Sequence, residues 1–219
     1  MSVQKPGDER PVVHLIDDDD RVRDSVAGMI DEARYRLESY TSGEAFLECY
    51  RPDAPGCILL DIVMPGISGL DLQAEIRRRG WATPIVFIAG GGRVSDSVQA
   101  LKAGAVDFLE KPFTRETLSL AIVNALAKDR QDRSAIERQS RYQQRFARLT
   151  EREWEILTLM VAGAADRSSK QLARDLDISH RTVEHHRARI FEKTGASSVA
   201  ELVKLAGKAG IIDDDDLID

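Results

Sequence analysis

VVHLIDDDDR, residues 12 to 21, decides the fold: a short branched run passes straight into four aspartates. Five residues of this kind read as a strand buried on both faces. The stretch VRDSVAGMIDEA follows, with Val22, Val26, Met29, Ile30 and Ala33 on one helical face. The alternation recurs outward from there. CILLDI (57–62), PIVFIA (84–89) and AVDFLE (105–110) are short, branched and bounded by Gly, Pro or Asp, and RLESY (36–40) reads as a weaker strand. Strands alternating with helices predict right-handed βαβ units, hence an α/β fold with a doubly wound, five-stranded parallel sheet.

In such a sheet, functional groups collect beyond the carboxyl ends of the strands. Those ends carry Asp17 and Asp18, then Asp61, then Ala89 with Gly90, Gly91 and Gly92, then Lys111. The glycines permit a sharp turn or a close approach of backbone. Clustered carboxylates raise one another's pKa unless a cation sits among them. Mg²⁺ takes oxygen ligands and keeps waters and phosphate oxygens. The set points to phosphoryl chemistry, with one carboxylate as acceptor and the lysine as a point charge. The second DDDD, at 213–216, lacks regular flanking structure and reads as a solvated acidic tail, residues 211–219.

At 219 residues, 42% hydrophobic and 31% charged, the chain accommodates two modest domains. No apolar run approaches the ~20 residues of a membrane span, and MSVQKPGDERP has no apolar h-region, so export is not expected. Cys49 and Cys57 match no ligand or redox spacing. A cytoplasmic protein without a membrane partner is expected. The net charge of −6 opposes attraction of the whole chain to nucleic acid, but the charge is unevenly spread.

From Phe113 to Ala162 there is neither Gly nor Pro. The segment AKDRQDRSAIERQSRYQQRFARL is basic and poorly periodic, so residues 128–147 are expected to form a solvated helical linker. A coiled-coil seam would place Asp129, Asp132 and Gln139 at apolar positions. Thr150–Glu153, Ser168–Gln171 and Ser198–Glu201 each read as a capping box, and Gly195 as a helix end. SSKQLARDLDISHRTVEHHRARIFEKTG has the form of a helix-turn-helix: Leu172, Ala173 and Leu176 turn inward, Asp177-Ile178-Ser179 turns, and a helix runs from His180 to about Thr194. Val183 and Ile190, with His186, mark its packed face. Arg181, Glu184, His185, Ala188 and Arg189 lie on the other side, flanked by Arg187 and Lys193. This cationic helix suits a major groove, and His185 is a candidate for pH-sensitive binding.

LIDDDDRVR, LLDIVMPGISGLDL and AGAVDFLEKPF resemble the acidic pair, phosphoacceptor and lysine segments of bacterial response-regulator receiver domains, which are flavodoxin-like; the resemblance covers about residues 10–127. It implies that Asp61 accepts a phosphoryl group from a sensor histidine kinase. It further implies Mg²⁺ held by Asp18, Asp61 and the carbonyl of Val63, with Asp17 assisting through water. Lys111 would meet the phosphoryl oxygens, Lys111–Pro112 would be cis, and Phe108 stands at the switch aromatic. Ala89 departs from the pattern, since receivers keep Thr or Ser there and use the hydroxyl to couple the phosphoryl group to the aromatic.

LTEREWEILTLMVAG, the helix-turn-helix and ASSVAELVKLA resemble the LuxR/FixJ-type output domain, here residues 148–210, although GAADRSSKQLA is about three residues longer than the family's turn. By position, Glu184, His185 and Ala188 would face base edges, while Arg181, Thr182, Arg187, Arg189 and Lys193 would meet phosphates. Together these imply a two-component transcription regulator, not an enzyme, that dimerises when active on promoter DNA, with RNA polymerase as a further partner. A second reading keeps the receiver only as a dimerisation scaffold. A third, a haloacid-dehalogenase-type phosphatase, finds its DxDx[TV] pattern in Asp18–Val22 but leaves the helix-turn-helix unexplained.

Overall fold

Alternation along three central strands sets the layers. The computed structural model describes residues 10–90, 103–161 and 168–212. Its first eight elements are β1 (Val12–Ile16), α1 (Asp20–Met29), β2 (Arg36–Tyr40), α2 (Gly43–Cys49), β3 (Gly56–Asp61), α3 (Gly69–Arg78), β4 (Ile85–Gly90) and β5 (Asp107–Lys111). The strands pair in parallel in the order β2-β1-β3-β4-β5. Val13, Leu15, Cys57, Leu59, Val86 and Ile88 point to one face and pack on Val26 of α1 and on Leu118, Ala121, Ile122 and Ala125 of the helix after β5. Ile16, Ile58, Leu60, Ile85 and Phe87 point to the other, against Phe46 of α2 and Leu72 and Ile76 of α3. A period of two sends alternate side chains to opposite faces, so a sheet apolar at every position requires helices on both. Cys57 lies in this core, and burial pushes its thiol up to about 12.

α1 is shorter than its periodicity suggests. Ile30 caps it in an extended conformation, and Ala33 lies exposed in the turn that follows. Gly90 continues β4 and does not take positive φ. Gly91 and Gly92 fall outside the described residues, as do the lengthened turn up to Arg167 and the tail from Asp213.

The remaining elements are α4 (Arg115–Phe146), α5 (Glu151–Val161), α6 (Ser169–Asp175), α7 (His180–Thr194) and α8 (Val199–Ala209). The chain divides into two compact units that meet between Arg133 and Ser134, inside α4. The start of the expected solvated linker instead belongs to the first unit. Asp129 is 3% exposed and accepts from the Gly56 amide at 3.3 Å. Arg133 bonds Asp129 at 3.0 Å and donates to the carbonyls of Pro52, Asp53 and Ala54. Residues that break a coiled-coil seam thus satisfy a loop whose carbonyls lack sheet partners. In the second unit, Phe146, Ile156, Leu157, Leu172, Val183, Ile190 and Leu202 form a separate core.

The caps hold these helices in place. Thr150 and Glu153 bond reciprocally, as do Ser168 and Gln171. Ser198 accepts from Glu201, whose carboxylate bonds the amide of Ser197, one residue before the cap. Gly195 ends α7 at φ 76°, a conformation costly for a residue with a Cβ.

Candidate functional site

Strand order places the acidic residues. The chain leaves β1 in one direction toward β2 and in the other toward β3, so the β1/β3 boundary is the switch point at which ligands bind. Ile16 pairs with Leu60, which sets Asp17 beside Asp61. Lys111 ends β5, two strands from β3, and its side chain crosses the end of β4. Ala89 and Gly90 offer it little bulk there: a Cβ on Gly90 would stand 3.8 Å from Cδ of Lys111. The small corner after PIVFI thus lets an ammonium reach two neighbouring carboxylates.

Lys111 Nζ donates to Asp61 Oδ1 at 2.6 Å and to Asp17 Oδ2 at 2.7 Å. Asp61 Oδ2 accepts from the Val63 amide at 2.8 Å, and Asp17 Oδ1 from the Asp19 amide at 2.9 Å. Burial pushes the Asp61 carboxyl above its ordinary value and Asp17 adds to the push, against the bonds from Lys111. For Lys111, burial works against the charge, but bonds to both aspartates outweigh it and hold the ammonium above its usual range.

The structure gathers Asp17, Asp61 and Lys111 and leaves Asp18 exposed. Among the described residues, no three His, Cys, Asp or Glu side chains are grouped to hold a metal. One ammonium compensates two carboxylates, and the third, unpaired among the described residues, faces water. The donor chemistry nevertheless fits a hard cation: every candidate ligand is oxygen, and one cation already rests where two of them converge. Val63, expected to offer its carbonyl, has a side chain 77% exposed beside the cleft. The other two aspartates have local duties. Asp19 caps α1 and bonds Arg21, which holds its carboxyl down at about 2, while Asp20 pairs with Arg23. Ala89 is buried, Phe108 half-buried on the same side of the sheet, and Lys111–Pro112 is cis.

On α7, Val183 and Ile190 are buried; Arg181, Thr182, Glu184, His185, Ala188 and Arg189 are exposed, and His186 and Arg187 half-buried. Arg189 pairs with Glu192 at 2.8 Å, and Glu184 lies 4.0 Å from His180. Lys193, expected at a phosphate, turns instead to the buried Glu153 at 2.5 Å. Glu153 is 4% exposed, and its charge needs a partner that the sequence places 40 residues away.

A parallel sheet with a carboxylate–ammonium cluster at its switch point, followed by a helix-turn-helix unit, defines a response regulator with a DNA-binding output. Residues 13–123 match the response regulator receiver domain family, and residues 147–206 match the luxR family of bacterial regulatory proteins. The transcriptional regulatory protein FixJ of Azorhizobium caulinodans is 40% identical over 93% of this chain and 95% of its own length. The response regulator protein TodT of Pseudomonas putida is 37% identical over 90% and 86%. Of solved structures, the response regulator StyR is similar with a TM-score of 0.75 and 38% identity, covering 91% of this chain and 99% of that one. Full-length FixJ from B. japonicum gives 0.55 and 34%, covering 93% and 98%. The chain belongs to the FixJ-like response regulators with a luxR-type output domain, and is a DNA-binding transcription regulator of a two-component system.

Proposed function

We propose that Asp61 is the phosphoacceptor, and that its state sets dimerisation and promoter binding. The observation that carries this reading is the ammonium of Lys111 held between Asp61 and Asp17 at the switch point of the sheet. An Asp61 oxygen attacks the phosphorus of a phosphohistidine on a sensor kinase. The P–N bond breaks, the imidazole leaves, and an acyl phosphate remains. Lys111 then moves from the carboxylate to the phosphoryl oxygens, where its charge is needed more. Asp18, Asp61 and the Val63 carbonyl would hold Mg²⁺, with Asp17 assisting through water; the ion supplies charge neutralisation at the phosphoryl oxygens. Asp17 is 1% exposed and its oxygens are engaged, so it orients Lys111 more than it meets solvent.

The signal would pass through the Ala89–Phe108 corner to a receiver-mediated dimer, presenting two α7 helices to a two-fold related site. Arg181, Thr182, Arg187 and Arg189 take phosphates, and Glu184, His185 and Ala188 face bases. Lys193 leaves this set because Glu153 holds it. The protein acts in the cytoplasm, with RNA polymerase as a further partner. Ala89 favours the second reading, of a receiver that serves as a scaffold, because it has no hydroxyl to draw toward a phosphoryl group.

Light-scattering mass during size-exclusion chromatography tests this, with and without Mg²⁺ plus beryllofluoride. A monomer that becomes a dimer only with both supports phosphorylation-dependent assembly. An unchanged mass, with fluorine NMR confirming occupancy, would sink it. Asp61→Asn abolishes regulation under the first reading and leaves it intact under the second.

A further inference from the structure

Three arginines of α4, Arg138, Arg141 and Arg145, and Arg148 in the turn that follows it, have no part in the chemistry above. Arg138, Arg141 and Arg145 recur at spacings that place them on one stripe of the helix, Arg148 follows two residues past its end, and all four are exposed. The adjacent stripe carries Tyr142 and Phe146, which pack into the core of the second unit, so the arginines are not needed for burial. Between Ser134 and Leu149 the only acid is Glu137, 3.9 Å from Arg141 with both side chains largely in water. Arg138 bonds Ser134 on its own helix, and Arg148 has no polar partner among the described residues. At the junction, Arg145 Nη1 lies 3.5 Å from the Thr194 carbonyl and 3.6 Å from where a Cβ on Gly195 would stand. Arg181, Glu184, His185, Ala188, Glu192 and Gly195 share the exposed side of α7. The arginines therefore pass the end of that side at Arg145.

We propose that Arg138, Arg141 and Arg148, with Arg145 at the junction, form a second contact with duplex DNA, on the phosphates flanking the groove that α7 enters. This rests on the DNA-binding reading above and extends it. Guanidinium groups ordered along a helix and the turn at its end suit phosphate oxygens, and an element crossing the end of a major-groove helix meets backbone. Charge makes such a contact necessary. The chain carries −6 overall, Glu184 opposes the cations of α7, and Lys193 is committed to Glu153. Part of the backbone affinity then has to come from cations outside α7, beside the contacts of Arg181, Arg187 and Arg189.

The test uses the full chain and a duplex selected by the unaltered protein from a random-sequence library within fixed flanks, with binding read by anisotropy across a salt series. Arg138→Gln/Arg141→Gln/Arg148→Gln is expected to flatten the slope of log affinity against log salt by about 2.7 per bound chain, and to weaken binding about tenfold or more near 0.15 M salt. Trimming the flanks weakens the unaltered protein but not this variant. Lysines at the three positions, which keep the charge, restore the slope; if the glutamine variant fails to fold, trimming the flanks on the unaltered protein still tests the contact, and affinity indifferent to trimming would overturn it. An unchanged slope, or equal sensitivity to trimming, overturns the proposal while leaving α7 as the DNA reader. Failure to select any duplex would overturn both.

Discussion

Asp61 carries its charge against its surroundings. Burial opposes the carboxylate, Asp17 repels it, and the bonds from Lys111 and Val63 do not fully compensate, so its pKa lies above the ordinary value. An acid of this kind stabilises the fold fully below its unfolded pKa, and that contribution is lost as pH rises through the folded value. Asp61→Asn is therefore expected to melt higher than the unaltered protein at pH 7. The gain should vanish as pH falls below the usual carboxylate range. A variant that melts lower at pH 7 but not in acid would show the charge to be a net contributor. Ala89, 3% exposed beside this cluster, raises the complementary question. A hydroxyl there would offer a hydrogen bond to a charged phosphoryl group, about 1.5–3 kcal/mol. Ala89→Ser should thus favour the dimer in Mg²⁺ and beryllofluoride by about tenfold or more. Equal dimerisation of the two proteins, measured by light scattering, would mean that the corner works without a hydroxyl.

At the scale of elements, the orientation of α7 depends on an ion pair to α5. Burial raises Glu153, but the bonds from Lys193 and Thr150 outweigh it and hold its pKa below the ordinary value. The sign is opposite to that of Asp61: this stabilisation is present above the unfolded pKa and is lost as pH falls through the folded one. Glu153→Gln should destabilise the helix-turn-helix unit at neutral pH by about 1.5–3 kcal/mol, the scale of a bond to a charged group. Thermal melts should show the deficit narrowing in acid. Lys193→Gln shares the loss of stability but should leave the salt slope of DNA binding unaltered. A slope flatter by about 0.9 would return Lys193 to the phosphates. The caps were legible in the sequence because each is written within four residues. Glu153 was legible only as half of a cap; its pairing with Lys193 needs tertiary structure to bring α7 to α5. The same holds for Asp129 and Arg133, whose partners are carbonyls in the loop before β3. Helical spacing registers such residues only as interruptions. At the sheet edge, strand ends showed which acids gather, while the choice of Asp17 over Asp18 depended on which of them Lys111 could reach across β4.

Across the whole molecule, two kinds of periodicity gave two kinds of fold. Alternating strands and helices specified a sheet covered on both faces, and capped helices without strands specified the second unit. The boundary was less legible, because it falls within one unbroken helix whose composition changes gradually: α4 begins in one core and ends in another. Separate cores have a thermodynamic consequence. A ligand stabilises the unit it binds by mass action, about 2.7 kcal/mol at a hundredfold excess over its dissociation constant. On the proposed function, Mg²⁺ with beryllofluoride would bind at the end of β3, in the first unit, and duplex DNA would bind α7, in the second. Scanning calorimetry should then resolve two transitions, each raised by its own ligand and indifferent to the other when protein concentration is low enough to keep the chain monomeric. Two-state behaviour belongs to single domains and fails for chains whose cores do not share residues. A single transition raised by either ligand would mean that α4 transmits folding from one core to the other, so that the chain melts as one cooperative unit.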